Sequence, residues 1–282
     1  MRFEKWQALG NDYVIVERGA LPWELTPERI RRLCEPHTGI GSDGILLISE
    51  PDDPGCAAQV RIFNPDGSEA ELSGNGVRQA VLYLNRMEGV GRGVAEFCVL
   101  TKAGRIQATV TGRDTATLAM GRASVTSPDY PDRPVDGRGT LRAGGRDWSF
   151  QHVSIGNPQC VIEAGSELDD LDLAAIGPEI ENSELFPNRT NVSFIRIDGA
   201  TVRTRIFERG VGETAASGTG ASGAAVAAFL RGAPGAITVQ LDGGELVVEV
   251  SEDLEVKLTG TASCVYRGEI SGELAQHLAD LG

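Results

Sequence analysis

The chain has 282 residues, of which 41% are hydrophobic and 5% aromatic; it contains 36 glycines and carries a formal net charge of −14. This length suits two domains of ordinary size, each able to form its own core. The acidic balance argues against nucleic-acid binding, which needs a concentrated basic face, and no apolar run approaches the roughly 20 residues of a membrane span.

Cysteine and histidine usage gives no sign of a metal site. The five cysteines and three histidines are scattered along the chain and show no CxxC or other metal-like spacing. An odd number of widely spread cysteines is typical of a reducing compartment, and we expect buried structural thiols. The opening residues Met1 to Lys5 lack the apolar core of a signal peptide, so we expect a cytoplasmic protein.

The first half of the chain predicts strands followed by one long helix. Alternation predicts strands at residues 3–7 and 13–16, and apolar runs predict strands at 44–48 and 60–63. Thr26 before Pro27 is a strong helix start, because threonine is a favoured N-cap and proline is favoured at the first helical position. Apolar residues at helical spacing follow Gly76, and residues 94–120 are β-rich.

The second half repeats this order after a segment at 124–145 that is rich in proline, glycine, aspartate and arginine and predicts a linker. Strands are predicted at 150–154, 192–197 and 202–207, helices at 173–181, 221–230 and 269–281, and β-rich chain at 237–266. Many strands and one long central helix per half predict an α+β fold.

Two stretches carry the same pattern, and each ends in a glycine-flanked serine that opens an apolar helix. Phe, Glu, Ser, Gly and Gly recur at equal offsets, at positions 63/207, 69/213, 73/217, 74/218 and 76/220. A repeat of domain length indicates two pseudo-symmetric domains. We expect an N-terminal half at 1–121 and a C-terminal half at 122–265, with the segment 266–282 as a candidate to pack back on the first half.

Five motifs, in the right order and at the right spacing, resemble those of the diaminopimelate epimerase family over essentially the whole chain. They are Leu9-Gly10-Asn11-Asp12-Tyr13, Phe63-Asn64-Pro65-Asp66-Gly67-Ser68-Glu69, Gly156-Asn157-Pro158, Asn188-Arg189-Thr190-Asn191-Val192 and Glu208-Arg209-Gly210-Val211-Gly212-Glu213-Thr214. The resemblance implies two pseudo-mirrored domains, each a curved, mostly antiparallel sheet around a central helix, with the ligand in the cleft between them. It also implies a homodimer that binds a diaminopimelate-like amino acid and needs no cofactor or metal.

The family inverts an amino-acid α-carbon with two cysteines, one of which removes the α-proton while the other returns a proton to the far side. The resemblance places Ser73 and Ser217 at these two positions. Helix N-termini favour anions, and the residues that would bind the α-carboxylate there are Gly74, Asn75, Gly218 and Thr219. The residues that would bind the distal end of the substrate are Asn11, Asn64, Asn157, Asn191, Glu208 and Arg209. Arg209 can hold a carboxylate through its fork, and Glu208 can accept from an ammonium group.

Serine at both proton-transfer positions departs from the family. A thiol has a reference pKa of about 8.5, whereas an unassisted hydroxyl lies closer to the roughly 15.7 of water. That gap corresponds to about 7–10 kcal/mol, and a helix dipole contributes only about 0.3–2 kcal/mol. No histidine lies near either motif, and Gln159 stands where the family commonly has histidine after Asn-Pro. We therefore expect Ser73 and Ser217 to be poor bases.

Three explanations for the serines stay open: an engineered form with both thiols replaced, a natural serine branch with weak activity or a more acidic substrate, and a protein that binds its ligand without turnover. Both serines also suit a helix N-cap, which is compatible with all three. The function expected from the resemblance is conversion of LL-diaminopimelate to meso-diaminopimelate, which supplies lysine and cell-wall precursors. The alternatives are another amino-acid racemase or isomerase of the same fold, and a non-catalytic amino-acid-binding protein.

Overall fold

The computed structural model describes residues 1–87, 95–131 and 134–281, so the expectations for residue 94, residues 132–133 and residue 282 lie outside the described residues. The chain divides into two compact units. Unit 1 holds Met1–Leu118 together with the chain from Gly260 onward, and unit 2 holds Ala119–Thr259. The sequence predicts these boundaries after residue 121 and after residue 265.

The described residues form an α+β fold dominated by strands, as the sequence predicts. In chain order the strands are β1 (Arg2–Ala8), β2 (Asn11–Glu17), β3 (Ile45–Ser49), β4 (Ala58–Phe63), β5 (Glu69–Ala70), β6 (Ala95–Thr101), β7 (Gly104–Val110), β8 (Thr115–Arg122), β9 (Arg138–Ala143), β10 (Arg146–Ser154), β11 (Pro158–Glu163), β12 (Asn191–Asp198), β13 (Thr201–Glu208), β14 (Gly212–Thr214), β15 (Ala236–Leu241), β16 (Gly244–Val250), β17 (Glu255–Thr261) and β18 (Ser263–Glu269). The α-helices are α1 (Pro27–Cys34), α2 (Gly74–Met87), α3 (Leu173–Glu181), α4 (Gly218–Phe229) and α5 (Gly272–Asp280). Within the described part of the chain, none of these helices has the length and apolarity that a membrane crossing requires.

Unit 1 is a sheet with neighbouring strands in the order β18, β1, β2, β3, β4, β6, β7, β8, and the short strand β5 pairs with the end of β4. The pairs β2–β3 and β4–β6 are parallel, and the others are antiparallel. Helix α2 packs on strands β1, β2, β3, β4, β6 and β7. The sheet therefore wraps one central helix.

Unit 2 repeats this arrangement, with strand order β9, β10, β11, β12, β13, β15, β16, β17 and with β14 paired to β13. The parallel pairs are β11–β12 and β13–β15, at the same two places as in unit 1. Helix α4 packs on strands of this sheet from β10 to β16. The duplication predicted from the repeated motifs is thus confirmed, with β18 in unit 1 taking the place of β9 in unit 2.

The two central helices are buried on most of their circumference, as a helix enclosed by a sheet must be. In α4 every residue from Ala221 to Ala228 is buried, including its alanines. Helix α2 buries Val77, Ala80 and Val81 along the spacing that the sequence shows. Small side chains keep the helix thin, so that strands can approach it from several directions.

The predicted linker at 124–145 is wrong in part. Strand β9 lies within it and forms an antiparallel hairpin with β10. Tyr130 is buried, and its ring contacts the rings of Phe150 and Phe186 in the core of unit 2. The glycine, proline and arginine content of this segment predicts a linker, but its few apolar residues reach the core. The final helix also begins later than predicted, at Gly272, because Glu269 still belongs to β18.

The expectation of free thiols is confirmed for Cys34 and Cys160, which are buried, and is wrong for Cys56 and Cys98, which form a disulfide. Strands β4 and β6 pair in parallel with Ala58 opposite Val99, which brings the two cysteines together. Burial raises the pKa of the Cys34 thiol to about 12, and it also raises the pKa of Cys160 well above its ordinary range. Both buried thiols are therefore held in the neutral form. Cys264 is free and partly exposed.

Candidate active site in each unit

Both serines of the repeat are helix N-caps. In unit 1 Ser73 Oγ accepts a hydrogen bond from Gly76 N at 3.1 Å, and its carbonyl accepts from Val77 N. In unit 2 Ser217 Oγ accepts from Gly220 N at 3.3 Å, and its carbonyl accepts from Ala221 N. Each hydroxyl therefore lies at the start of a central helix, where backbone N–H groups of the first turn lack intrahelical partners.

Glycine at the third position after each serine keeps this helix start compact. A Cβ added at Gly76 would lie 3.3 Å from Ser73 Cβ and 3.1 Å from Leu46 Cδ2. A Cβ added at Gly220 would lie 3.3 Å from Ser217 Cβ and 2.7 Å from Ile206 Cδ1. The repeated glycine thus allows the helix end to sit against the sheet with its serine in place.

In unit 1 the predicted ligand residues come from one edge of the sheet. Strand β2 begins at Asn11, β4 ends just before Asn64, and Ile45 at the start of β3 lies opposite Phe63 at the end of β4. The helix end reaches the same edge, because Gln79 Nε2 on α2 donates to the carbonyl of Asn11 at 3.0 Å. Asn11, Asn64 and the Ser73 helix start therefore belong to one end of unit 1.

In unit 2 the equivalent edge carries the remaining predicted residues. Strand β12 begins at Asn191, β13 ends at Glu208, and Asn157 lies just before β11. Asn157 Nδ2 donates to Thr219 Oγ1 at 3.2 Å, which ties the first turn of α4 to this edge. The sequence therefore identified side chains that each unit brings to one place.

The asparagine side chains form hydrogen bonds with other groups of the protein. Asn191 Nδ2 donates to the carbonyl of Pro158 at 3.0 Å, and its Oδ1 accepts from Arg209 N at 3.0 Å. Asn157 Oδ1 accepts from Gln159 Nε2 at 2.7 Å. In unit 1 Asn11 Nδ2 donates to Asp43 Oδ2 and Asn64 Nδ2 donates to Ser68 Oγ. Asn191 in particular serves to position the backbone of Arg209.

Arg209 lies in a turn whose backbone is held by its neighbours. Its Nη1 donates to the carbonyl of Asn188 at 2.9 Å. Glu181, which is buried, accepts from Gly210 N at 2.8 Å and from Arg189 Nη1 at 2.8 Å. Arg189 has a φ of 61°, an unusual backbone conformation for a side chain of this size. A second guanidinium and a strained turn thus stand beside Arg209, and neither was singled out from the sequence.

Glu208 lies near Ser217 in unit 2. Burial raises the pKa of Glu208, and hydrogen bonds from Thr214 and Ser217 offset that effect only in part. The Thr214 hydroxyl donates to Glu208 Oε1 at 2.8 Å. A carboxyl group with a raised pKa next to a hydroxyl is an arrangement that enzymes use for general acid–base chemistry. The sequence assigned Glu208 to ligand binding and did not predict this contact.

Tyr13 is in contact with Ser73 and was missed as a site residue. The Tyr13 hydroxyl donates to Ser73 Oγ at 3.3 Å, although the two residues are 60 positions apart. The sequence signal was present in the motif that ends in Tyr13, but an apolar strand pattern suggested only a core residue. Both serines therefore have a titratable neighbour, which sequence reasoning, in looking for histidine, did not find.

A buried cation lies beneath the α2 helix start. Arg78 is fully buried, its Nη2 donates to Asn75 Oδ1 at 2.6 Å, and its Nη1 donates to the carbonyl of Gly74 at 3.2 Å. Burial lowers the pKa of Arg78 to about 10. A guanidinium in this position adds positive charge behind the helix end and favours an anion there.

The side chains around the two helix starts are of types that bind organic ions. Among residues 1–87, 95–131 and 134–281, no group of three or more histidine, cysteine, aspartate or glutamate side chains could hold a metal ion. Hydroxyl, carboxyl, amide and guanidinium groups make up the two helix starts and their surroundings. They can bind carboxylates and ammonium groups and can transfer protons.

Comparison with known proteins agrees with these features along nearly the whole chain. A family model described as diaminopimelate epimerase matches residues 3–126 and 151–265. The diaminopimelate epimerase of Synechococcus sp. (strain JA-3-3Ab) is 39% identical over 280 residues, which cover 95% of this chain and 97% of that protein. Diaminopimelate epimerase 2 of Nostoc sp. (strain PCC 7120) is 38% identical over 284 residues and covers 97% of each chain.

Solved structures share the fold at much lower identity. A hydroxyproline epimerase from Agrobacterium vitis with bound trans-4-hydroxy-L-proline matches with a TM-score of 0.68 at 16% identity, over 95% of this chain and 91% of that one. A predicted epimerase from Pseudomonas aeruginosa matches with a TM-score of 0.69 at 16% identity, over 95% and 98%. The family model and the sequence relatives, which span both units, show that this chain belongs to the diaminopimelate epimerase family.

Proposed function

We propose that the protein is a cofactor-independent epimerase that converts LL-diaminopimelate to meso-diaminopimelate, a precursor of lysine and of cell walls. The observation that carries this proposal is the duplicated helix start, one in each unit, with a serine cap and a titratable side chain near that serine. Inversion of an α-carbon by two groups needs two proton-transfer positions, and the repeat supplies two.

Substrate binding is assigned to groups of matching chemistry. The helix starts at Gly74-Asn75 and Gly218-Thr219 present backbone N–H groups suited to a carboxylate. The Arg209 fork suits the distal carboxylate, and Glu208 suits an ammonium group. The Asn11, Asn64, Asn157 and Asn191 side chains complete the set, and their internal hydrogen bonds hold them in place for the ligand.

Proton transfer is assigned to Ser73 and Ser217. The acidity of an isolated hydroxyl is too low for this work, but neither serine is isolated from titratable groups. Glu208 in particular supports an acid–base role at Ser217, because burial raises its pKa toward the working range of a general base. The carboxyl group near Ser217 favours an active serine enzyme over a protein that binds its ligand without turnover.

Chiral chromatography of LL-diaminopimelate incubated with the purified chain tests the proposal. We expect meso-diaminopimelate to form, and to form faster with a Ser73→Cys/Ser217→Cys variant because a thiol ionises more readily. Ser149→Cys, at an exposed position on β10, controls for a new thiol as such. If the folded double-cysteine variant produces no meso isomer, the assigned substrate is wrong. Faster turnover of another amino acid would instead favour a racemase or isomerase of different specificity.

We also propose a homodimer. Strand β18 has β1 on one side and lies at the end of the strand order of unit 1, and it exposes Val265 (54%) and Tyr266 (42%). An exposed edge strand with apolar side chains is suited to pairing with another chain. Sedimentation equilibrium that returns the mass of one chain at micromolar concentration would contradict the dimer.

We propose a cytoplasmic location, which is supported by the two buried thiols of Cys34 and Cys160. The Cys56–Cys98 disulfide makes this proposal testable, since disulfides are rare in the cytoplasm. Alkylation of thiols in intact cells, followed by mass spectrometry, measures the state of this pair. A fully oxidised pair in cells would contradict the cytoplasmic location.

A further inference from the structure

Two positions around each serine are equivalent in the two units. Phe63 and Phe207 are repeat partners, and they lie opposite Ile45 and Val192 at the starts of β3 and β12. On the neighbouring parallel strands, Val14 lies opposite Ile45 and Cys160 lies opposite Val192. Tyr13, which precedes Val14, therefore corresponds to Gln159, which precedes Cys160. Asn64 corresponds to Glu208, because each directly follows one of the two phenylalanines.

At these two equivalent positions, unit 1 has its ionisable side chain at the first and unit 2 has its ionisable side chain at the second. Unit 1 has a phenol at position 13 and an amide at position 64, whereas unit 2 has an amide at position 159 and a carboxyl at position 208. The Tyr13 hydroxyl donates to Ser73 Oγ, and Glu208 lies near Ser217. Each serine hydroxyl is thus paired with one titratable side chain, and the two chemical types differ.

The hydrogen bonds at Ser73 set the direction in which its own proton can go. Ser73 Oγ accepts from the Tyr13 hydroxyl at 3.3 Å and from Gly76 N at 3.1 Å. A hydroxyl has one hydrogen and two acceptor sites. Because both acceptor sites are taken, Ser73 can donate its own hydrogen to a third group. Tyr13 can then supply a second proton to Ser73 Oγ.

Packing fixes Tyr13 in this role. Its side chain is buried, with 5% exposed, whereas Ser73 is partly exposed. A Cβ added at Gly44 would lie 2.7 Å from Tyr13 Cε1 and 2.2 Å from the carbonyl oxygen of Phe63, so glycine is needed for the ring to lie here. A buried phenol behind a half-exposed serine reaches a substrate only through that serine.

We propose that Tyr13 supplies, through Ser73, the proton that is returned to the substrate α-carbon. This inference rests on the proposed function. In the step, the Ser73 O–H bond breaks as the new Cα–H bond forms, and the Tyr13 O–H bond breaks as its proton moves to Ser73 Oγ. The negative charge of the carbanion ends on the phenolate oxygen, and Ser73 is a hydroxyl before and after. In the reverse direction the phenolate takes the proton back through Ser73.

The chemical gain is that the charge ends on a phenolate instead of an alkoxide. Phenols have a reference pKa of about 10, whereas an aliphatic hydroxyl lies nearer to the roughly 15.7 of water. A relay through Tyr13 therefore removes most of the penalty that serine would otherwise impose at this position. A thiol at position 73 would need no such partner, and this difference gives the test.

The test measures exchange of the LL-diaminopimelate α-proton with deuterated solvent by proton NMR, with Tyr13→Phe made in two backgrounds. In the unaltered chain we expect Tyr13→Phe to lower the exchange rate by about 100-fold or more, in the range of general acid–base effects. In the Ser73→Cys/Ser217→Cys background we expect the same change to alter the rate by less than about threefold. The matched control is Tyr83→Phe, which removes the hydroxyl of another buried tyrosine that donates to Glu17 at 2.8 Å.

Each outcome separates the relay from the proposed function. Equal losses in both backgrounds would show that Tyr13 only supports the fold, and no loss in either would also overturn the relay. A silent unaltered chain beside an active double-cysteine variant would overturn the relay and leave the epimerase assignment intact. Silence of the folded double-cysteine variant would overturn the epimerase assignment, and the relay with it. The pH profile gives a second readout, because the double-cysteine variant should titrate near the thiol value of about 8.5 and the unaltered chain should not.

Discussion

Glu208 is a residue whose proposed chemical role should conflict with the stability of unit 2. Burial raises its pKa from the ordinary value of 4.5, so the folded chain binds more protons than the unfolded chain between that value and the raised one. The free energy of unfolding therefore falls as pH rises through this window and stays lower above it. Such a cost is common where a group is tuned for function.

We accordingly expect Glu208→Gln to increase the free energy of unfolding at pH 7 relative to the unaltered chain, and to leave little difference at pH 4. Epimerase activity should fall by at least about 100-fold, in the range of general acid–base contributions. Urea unfolding at both pH values measures the first effect. Glu252→Gln, at an exposed turn, is the control and should show neither change. A variant that is less stable at pH 7 would contradict the raised pKa.

Arg209 tests the assignment of the distal carboxylate. The hydrogen bond from its guanidinium to the carbonyl of Asn188 is exposed, so water can replace it and Arg209→Leu should leave the fold intact. The loss of a charge-assisted, two-pronged contact should weaken ligand binding by at least about 10-fold, since hydrogen bonds to charged groups contribute about 1.5–3 kcal/mol. Calorimetric titration with diaminopimelate measures this, with Arg196→Leu on β12 as a surface control. Unchanged affinity would remove Arg209 from the ligand set.

At the residue scale, the sequence identified what repeats and missed what differs between the repeats. Ser73 and Ser217 were found because each precedes a glycine-rich helix start at the same offset. Tyr13 and Arg78 were missed because an aromatic residue in a strand and an arginine in a helix have ordinary structural uses. Only the tertiary contact of Tyr13 with a serine 60 positions away marks it as a candidate site residue.

At the scale of elements, the Cys56–Cys98 disulfide closes a loop that contains β4, β5 and the Ser73 helix. The two cysteines are 42 positions apart, and a cross-link of this length stabilises a fold by about 4 kcal/mol in the chain-entropy model. We expect reduction to lower the urea midpoint correspondingly, and a Cys56→Ser/Cys98→Ser variant to be insensitive to reductant. Cys264→Ser, which removes a free thiol, is the matched control. A midpoint that reductant does not move in the unaltered chain would mean that the pair contributes no stability.

The elements that could be predicted are those with strong local signals. Helix α3 spans the predicted residues, and α1 begins after Thr26, whose side chain accepts from Arg29 N as a helix cap should. Strand β9 could not be predicted, because its two arginines, glycine, threonine, leucine and alanine gain their strand conformation from pairing with β10. The disulfide could not be predicted either, because it depends on the parallel pairing of β4 with β6.

At the scale of the whole molecule, unit 1 depends on two separate parts of the chain. Strand β18 pairs with β1, and Arg29 Nε on α1 donates to the carbonyl of Leu278 on α5 at 2.7 Å. Removal of the chain from Gly260 onward should therefore unfold unit 1 and leave unit 2 folded. Limited proteolysis with mass spectrometry measures this, with Gln276→Ala on the exposed face of α5 as the control. Protection of residues 1–118 in the truncated chain would show that unit 1 folds without its return segment.

The duplication was the most predictable property of the whole molecule, because a repeat in the sequence and a repeat in the strand order have one cause. The boundaries between the two units were harder to predict, because the chain passes from one unit to the other after Leu118 and before Gly260, inside β8 and β17. A strand that runs through a boundary carries no turn signal there. Composition marked the segment at 124–145 instead, and that segment already belongs to unit 2.

The interruption of unit 1 has a consequence for the order of events on the ribosome. Residues 119–259, the whole of unit 2, leave the exit tunnel before β18 does. Domains generally fold as units during synthesis. The second repeat to be translated is therefore expected to be the first to reach its native state, while β1 waits with an unpaired edge for a strand that the ribosome adds later.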